Sequence, residues 1–129
     1  MIILDKKQQE RFHKVHPVLM IIVAEMNLWC FQKGIPFIIT SSLSTLVEDK
    51  MIRRKSRTHR EGRAVDIAIT DSFSKDNVLK FVEHFNTHFK QFAATTSQGR
   101  QVLCVYGDKN HLDHIHVQIH SRYKIKTNS

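Results

Sequence analysis

Several chain types are excluded by what this sequence has little of. Four Gly and two Pro among 129 residues are too few for a collagen-like or linker-rich chain. The two cysteines, Cys30 and Cys104, sit inside the apolar stretches Leu28-Trp29-Cys30-Phe31 and Val102-Leu103-Cys104-Val105. Their wide separation fits neither a disulfide framework nor a short cysteine zinc motif, so both read as reduced core residues. The longest apolar run, Val18 to Ala24, falls far short of the roughly 20 residues that span a bilayer. The N-terminus also lacks a signal peptide's order of charge, apolar core and cleavage site. The expectation is a soluble chain made in the cytoplasm, one that needs delivery if its substrate lies outside.

What is present describes a folded domain. Hydrophobic residues make up 41% of the chain and charged residues 25%, and the length suits one compact domain over residues 1–129. Lys and Arg number 20 against 12 Asp and Glu, a formal charge of +8, which favours a polyanion such as nucleic acid, anionic lipid or an acidic cell wall. The cations are scattered through Lys6, Arg53, Arg54, Lys55, Arg100 and Arg122 without aromatic interleaving, which weighs against nucleic acid.

Periodicity supplies the elements. Phe12, Val15, Leu19, Ile22, Met26 and Trp29 recur three and four apart, the spacing of a buried helical stripe. Pro17 suits a first helical turn and not an interior, which predicts an N-terminal helix over 1–14, a break near His16 and a second helix ending at Gly34. Phe37, Ile38 and Ile39 within 36–40 predict a buried strand. Residues 41–57 are polar, basic and weakly periodic, and predict a long loop with room for one helical turn, of a length that is usually functional or mobile. Residues 64–70 alternate, Val65, Ile67 and Ile69 facing one way and Ala64, Asp66 and Ala68 the other. Ser74 can cap a helix with the stripe Val78, Phe81, Val82, Phe85, Phe89 and Phe92. Strands are predicted over 101–106 and 115–120, joined by a polar loop holding Gly107 and Asn110, and a frayed polar tail over 121–129. The sum is an α+β domain with a mainly antiparallel sheet, N-terminal helices and one further helix packed on the sheet.

Two segments carry chemistry. His59-Arg60-Glu61-Gly62-Arg63-Ala64-Val65-Asp66 places an imidazole in a loop and a carboxylate on a strand, with Gly62 free to turn the chain between them. Ala64 and Ala68 leave space beside Asp66. In Asp113-His114-Ile115-His116-Val117-Gln118, alternation sets His114, His116 and Gln118 on one face. Neighbouring strands could therefore gather His59, Asp66 and His116 around one cation. Two histidines and a carboxylate with a fourth position open form a catalytic zinc set, in which zinc lowers the pKa of water to about 7 and polarises a carbonyl. Proton transfer needs a nearby acid/base, for which Asp113 and His114 are both candidates. Arg53, Arg54 and Arg57, upstream of His59, could reach a substrate carboxylate. His13 with His16, and His84 with His88, are also close in sequence, but neither pair brings a third ligand.

At these residues the chain resembles the zinc D-alanyl-D-alanine peptidase family, which includes D-Ala-D-Ala carboxypeptidases, vancomycin-resistance dipeptidases and phage endolysins that cut the L-alanyl-D-glutamate bond. His59, Gly62, Ala64 and Asp66 match the first half of its metal pattern. Asp113 and His116 match the second. The resemblance extends from about Val15 to Ile119 and implies a hedgehog/DD-peptidase-like fold. It further implies Zn2+ held by His59, Asp66 and His116, Asp113 as acid/base, and hydrolysis of peptidoglycan stem peptide by a phage-type lytic enzyme acting at the wall. The pair His114 and His116 also fits the wider group joining lysostaphin-like and murein endopeptidases, in which the first His assists catalysis. Where the family follows its first strand with Ser-Gly-Tyr-Arg, this chain has Ser41-Ser42-Leu43-Ser44, and Arg57 stands where the family has Ser. Ser41 matches, whereas the clamping arginine is displaced, leaving Arg53 or Arg54 to replace it or the substrate to differ. A metal-binding, non-catalytic phage structural or wall-binding module on the same fold is the alternative reading.

Overall fold

The structure is a computed structural model that describes residues 1–3, 5–107 and 113–125. The loop residue Asn110 and the tail residues 126–129 lie outside the described residues. The elements run β1 (Ile2–Ile3), α1 (Lys6–Phe12), α2 (Pro17–Gln32), β2 (Ile38–Ser41), α3 (Leu46–Met51), β3 (Ala64–Ala68), α4 (Lys75–His88), β4 (Ala94–Thr95), β5 (Gln101–Val102), β6 (Cys104–Val105) and β7 (His114–Gln118). This is an α+β arrangement. The main sheet has the order β1-β2-β3-β7-β6, and β4 and β5 form a separate ribbon. Among the described residues, only the β1 to β2 pairing is parallel.

The helix break falls where the sequence places it. Pro17 opens α2, and His16 caps it, its Nδ1 accepting from the Val18 N–H at 3.1 Å. Leu19, Ile22, Val23, Met26 and Cys30 of α2 are buried. They join Val78, Phe81 and Phe85 of α4 in one core with Val65, Ile67, Ile115 and Val117 of the sheet. Phe81 is its hub, with ring centroids 5.3 Å from Trp29, 5.7 Å from Phe73 and 4.7 Å from Phe85. Both helices thus occupy the apolar face of β3 and β7, and alternation leaves Asp66 and His116 on the other.

Four expectations are corrected. Residues 1–3 are not helical, because Ile2 and Ile3 pair with Ile38 and Ile39, and Asp5 caps α1 by accepting from the Gln8 N–H at 2.7 Å. The 41–57 segment holds the six-residue helix α3, closed by a capping box between Thr45 and Glu48. That helix ends in a Schellman turn in which Arg53 takes the left-handed position usually given to glycine, at φ 57°. Its two bonds run from Arg53 N to Lys50 O at 3.2 Å and from Arg54 N to Asp49 O at 2.8 Å. The predicted 101–106 strand is broken at Leu103. There the Asn86 Oδ1 of α4 accepts from the Leu103 and Cys104 N–H groups at 3.1 and 2.6 Å, and its Nδ2 donates to the Cys104 carbonyl at 3.1 Å. Finally, residues 121–125 are tied down: 121–123 form a 3-10 turn, and the Ile125 N–H donates to the Glu61 carbonyl at 3.0 Å.

Candidate metal centre

The site begins with a register. β3 and β7 pair so that Asp66 lies directly opposite His116, with Ala68 opposite His114 and Ala64 opposite Gln118. Directly opposed residues on one face are in side-chain contact, and the His116 Nδ1 is 3.0 Å from Asp66 Oδ1. His59 arrives from a tight turn. The Gly62 N–H returns to the His59 carbonyl at 3.1 Å and the Arg63 N–H to Thr58 at 2.8 Å, with Gly62 at φ +67°. A residue with a Cβ is strained in that region, which accounts for glycine here. The turn delivers His59 Nε2 to 3.3 Å from Asp66 Oδ2, and the two imidazole centroids lie 5.2 Å apart. All three residues are buried, and their ligand atoms lie within 4.8 Å of one another.

The donor chemistry fits a cation. The His59 Nδ1 is 2.7 Å from the Ser42 carbonyl oxygen, which can only accept, so Nδ1 carries a proton and Nε2 is the nitrogen offered to the cluster. His116 offers Nδ1 to Asp66 while its Nε2 faces Gln118 Oε1 at 3.2 Å. Two imidazole nitrogens therefore aim at the two oxygens of one buried carboxylate, an arrangement satisfied by protons on both rings or by a cation among the donors. Tetrahedral zinc with bonds near 2.1 Å separates its ligand atoms by about 3.4 Å, a spacing inside the 4.8 Å within which one ligand atom from each residue lies. Burial alone would raise the Asp66 carboxyl, but the hydrogen bonds from His116 and His59, and the charges of those rings when protonated, outweigh it and hold the group well below the usual carboxylate range. His59, Asp66 and His116 form a buried cluster able to hold a metal ion.

No protein-family model, curated protein or solved structure matches this chain.

The two acid/base candidates are placed differently. His114 sits beside the cluster, its Nε2 3.9 Å from Asp66 Oδ1, and its Nδ1 is 2.8 Å from Asp113 Oδ1. The Asp113 side chain is 92% exposed, and its hydrogen bond with His114 lowers its pKa. Asp113 thus reaches the cluster through His114.

Of the substrate candidates, Ser41 and Arg54 come together and Arg53 and Arg57 do not join them. Arg53 and Arg57 are exposed. A cleft of about 370 Å³ lies between α1 and α3, with Ser41, Arg54, Lys7, Arg11 and Glu48 in its wall and Leu43, Met51 and Ile52 as apolar lining. The metal-cluster residues are not in that wall, and the cleft approaches them through Ser41, the register partner of Asp66. Arg54 Nη1 is 3.0 Å from Asp49 Oδ1, and Glu48 pairs with both Lys7 and Arg11. Sequence reasoning missed the outer contacts of the centre. Gln118 had a usable signal, since it shares the alternating face of His116, whereas nothing in the sequence marks Ser42. Of the other histidine pairs, His16 is taken up in capping α2 and contacting Tyr123, while His84 and His88 are exposed on α4 with centroids 4.5 Å apart.

Proposed function

We propose that the chain is a zinc-dependent peptidase acting on peptidoglycan stem peptide, as an endopeptidase or D,D-carboxypeptidase of the phage lytic type. The observation that carries this reading is the convergence of His59, Asp66 and His116 in one buried cluster, three donors of the kind that catalytic zinc sites combine with an open position. A zinc ion held there would polarise the scissile carbonyl and activate water at neutral pH. The choice of stem peptide rests on the resemblance of both metal segments to the D-alanyl-D-alanine peptidase pattern.

The chain's own groups supply the rest. His59 is held in one tautomer by Ser42, and Gln118 braces the far side of His116. We assign the acid/base role to His114, which approaches Asp66 from β7, the strand that also carries His116, with Asp113 orienting its ring through the bond at Nδ1. The cleft beside Ser41 carries Lys7, Arg11 and Arg54, which, with Glu48 shared by Lys7 and Arg11 and Asp49 paired to Arg54, leave one cation in excess, suited to a peptide bearing a free carboxylate. The +8 charge favours an anionic wall or outer-membrane surface over a neutral one.

The deciding experiment is mass spectrometry of muropeptides after digestion by purified protein, with chelator and with zinc restored. Cleaved stem peptides that vanish on chelation, return with zinc and are lost in His114→Ala while that variant still binds zinc are expected. Stoichiometric zinc without any cleavage would replace the enzyme with a non-catalytic wall-binding or phage structural module, the reading favoured by the Ser41 to Ser44 departure. No zinc at all would remove both.

A further inference from the structure

The two bonds that hold Ser42 come from an element remote from the metal segments. Ser42 is fully buried at 0% exposure. Its carbonyl accepts from His59 Nδ1 at 2.7 Å, while its backbone N–H and its hydroxyl both donate to Gln8 Oε1, each at 2.9 Å. The next carbonyl, that of Leu43, accepts from Arg11 Nη1 at 3.1 Å. Gln8 and Arg11 lie three apart on α1 and so project from one helix face. The peptide unit that carries the Ser42 carbonyl is thereby flanked by groups that α1 holds, the Ser42 N–H and hydroxyl before it and the Leu43 carbonyl after it.

We propose that Gln8 is a positioning residue of the metal centre: through Ser42 it fixes the carbonyl that sets the ring angle and tautomer of His59, so that α1 tunes the affinity of the site for its ion. This rests on the metal-binding reading of the cluster. The physical case is that a metal-ligating imidazole depends on the acceptor behind it, and loss of such outer partners lowers metal affinity by roughly 10- to 100-fold. The Ser42 carbonyl is that acceptor, and its own orientation has no support from a strand ladder, because β2 ends at Ser41. Gln8 supports it at Ser42 itself, beside the bonds from Arg11 to the Leu43 carbonyl and from the Ser44 N–H to the His59 carbonyl at 3.4 Å. Its position also borders the cleft between α1 and α3, so one side chain touches both the cleft and the metal's outer contacts.

The test uses the full chain and Co2+ as a spectroscopic probe, titrated against a competing chelator, together with long-range 1H–15N correlation of the His59 ring. Gln8→Met keeps the helix and removes the acceptor, and a fall in Co2+ affinity of about 10-fold is expected, with loss of the fixed Nδ1-protonated pattern of His59. Gln8→Glu retains an acceptor and should stay within about 3-fold of wild type. Gln9→Ala is the control, since Gln9 Nε2 also ties α1 to another element, donating to the Ile3 carbonyl of β1 at 3.1 Å, but makes no hydrogen bond to Ser42 or His59. It should lower stability and leave Co2+ affinity unchanged. Should Gln8→Met not fold, Ser42→Ala removes one of the two bonds to Gln8, and a loss of about 3-fold is expected. A folded Gln8→Met protein with wild-type affinity and a wild-type His59 pattern would overturn the proposal. So would equal losses in Gln8→Met and Gln9→Ala. If wild type binds no Co2+, the metal reading fails by itself, and the His59 ring pattern in Gln8→Met against wild type still decides the role of Gln8.

Discussion

Replacing Asp66 by Asn separates a metal ligand from a structural ion pair. The carboxylate accepts at both oxygens, from His116 at 3.0 Å and opposite His59 Nε2 at 3.3 Å. In the metal-free protein the amide is a good substitute: Oδ1 accepts from the His116 Nδ1–H, and the new N–H₂ donates to the His59 Nε2 lone pair. The hydrogen bonds can be kept, but the stability that the depressed carboxyl contributes in its charged form is lost, so apo stability should fall. The metal-linked rise is a separate readout. An ion that binds only the folded state at 100 times its Kd adds about 2.7 kcal/mol. At about 2.1 cal/mol/K per residue, 129 residues give an unfolding entropy near 0.27 kcal/mol/K, and so a rise in Tm of about 10 °C. Losing the carboxylate should lower affinity by at least about 100-fold, which cuts the rise to about 1.5 °C at the same free zinc. Calorimetry at pH 7.5 in chelator-buffered zinc reads both numbers. An equal zinc shift in wild type and variant would refute the reasoning by placing the ion elsewhere, with the exposed His84 and His88 pair as the first suspect. No shift in wild type would refute it outright.

Three other perturbations test the frame around the site. Asn86→Leu strips the acceptor from the Leu103 and Cys104 N–H groups, and at about 1 to 3 kcal/mol for a buried donor left unpaired urea titration should show a loss of about 2 to 4 kcal/mol; a change below about 0.5 kcal/mol would mean that water replaces the amide. Gly62→Ala forces a Cβ to 3.0 Å from Ile125 Cγ1 at φ +67°, for a combined loss of at least about 1 to 2 kcal/mol. Adding Ile125→Ala should recover the steric part alone, and full recovery would show that the backbone angle costs nothing. Hydrogen bonding to Arg11 leads the causes that lower the Glu48 carboxyl from 4.5 to about 2. A depressed acid contributes stability above its unfolded pKa and loses it as pH falls through the folded value, so Glu48→Gln should flatten the acid limb of stability between about pH 4.5 and pH 2, and an unchanged limb would assign that loss to other carboxylates.

The parts of the molecule that were legible beforehand are those whose physics repeats along the chain. A period of two put Asp66 and His116 on the polar faces of β3 and β7 because every second residue, from Val65 to Ile67 and from Ile115 to Val117, is committed to the core. Pro17 marked the helix break for an equally local reason, its missing N–H. The features that were not legible are made by single side chains reaching across sequence. α3 is short, exposes Val47 and Met51, and is held by a capping box and by Arg11, so no stripe announces it. β1 owes its existence to Ile38 and Ile39, far from it in sequence. The break at Leu103 is imposed by an amide on another helix.

The candidate site divides along the same line, and that division orders its evidence. Two of its donors, Asp66 and His116, lie on paired strands where alternation identifies them, and the third, His59, lies in the turn marked by Gly62. The groups that orient those donors, Ser42 and Gln8, lie in a loop and on an unrelated helix, where neither residue type nor spacing carries information. Bond geometry alone connects them. If Gln8 positions His59 as proposed, a chain that kept His59, Asp66 and His116 but lost the acceptor on α1 would look unchanged in its metal segments and would bind a cation more weakly, so the two motifs would identify the donors and leave affinity to residues outside them.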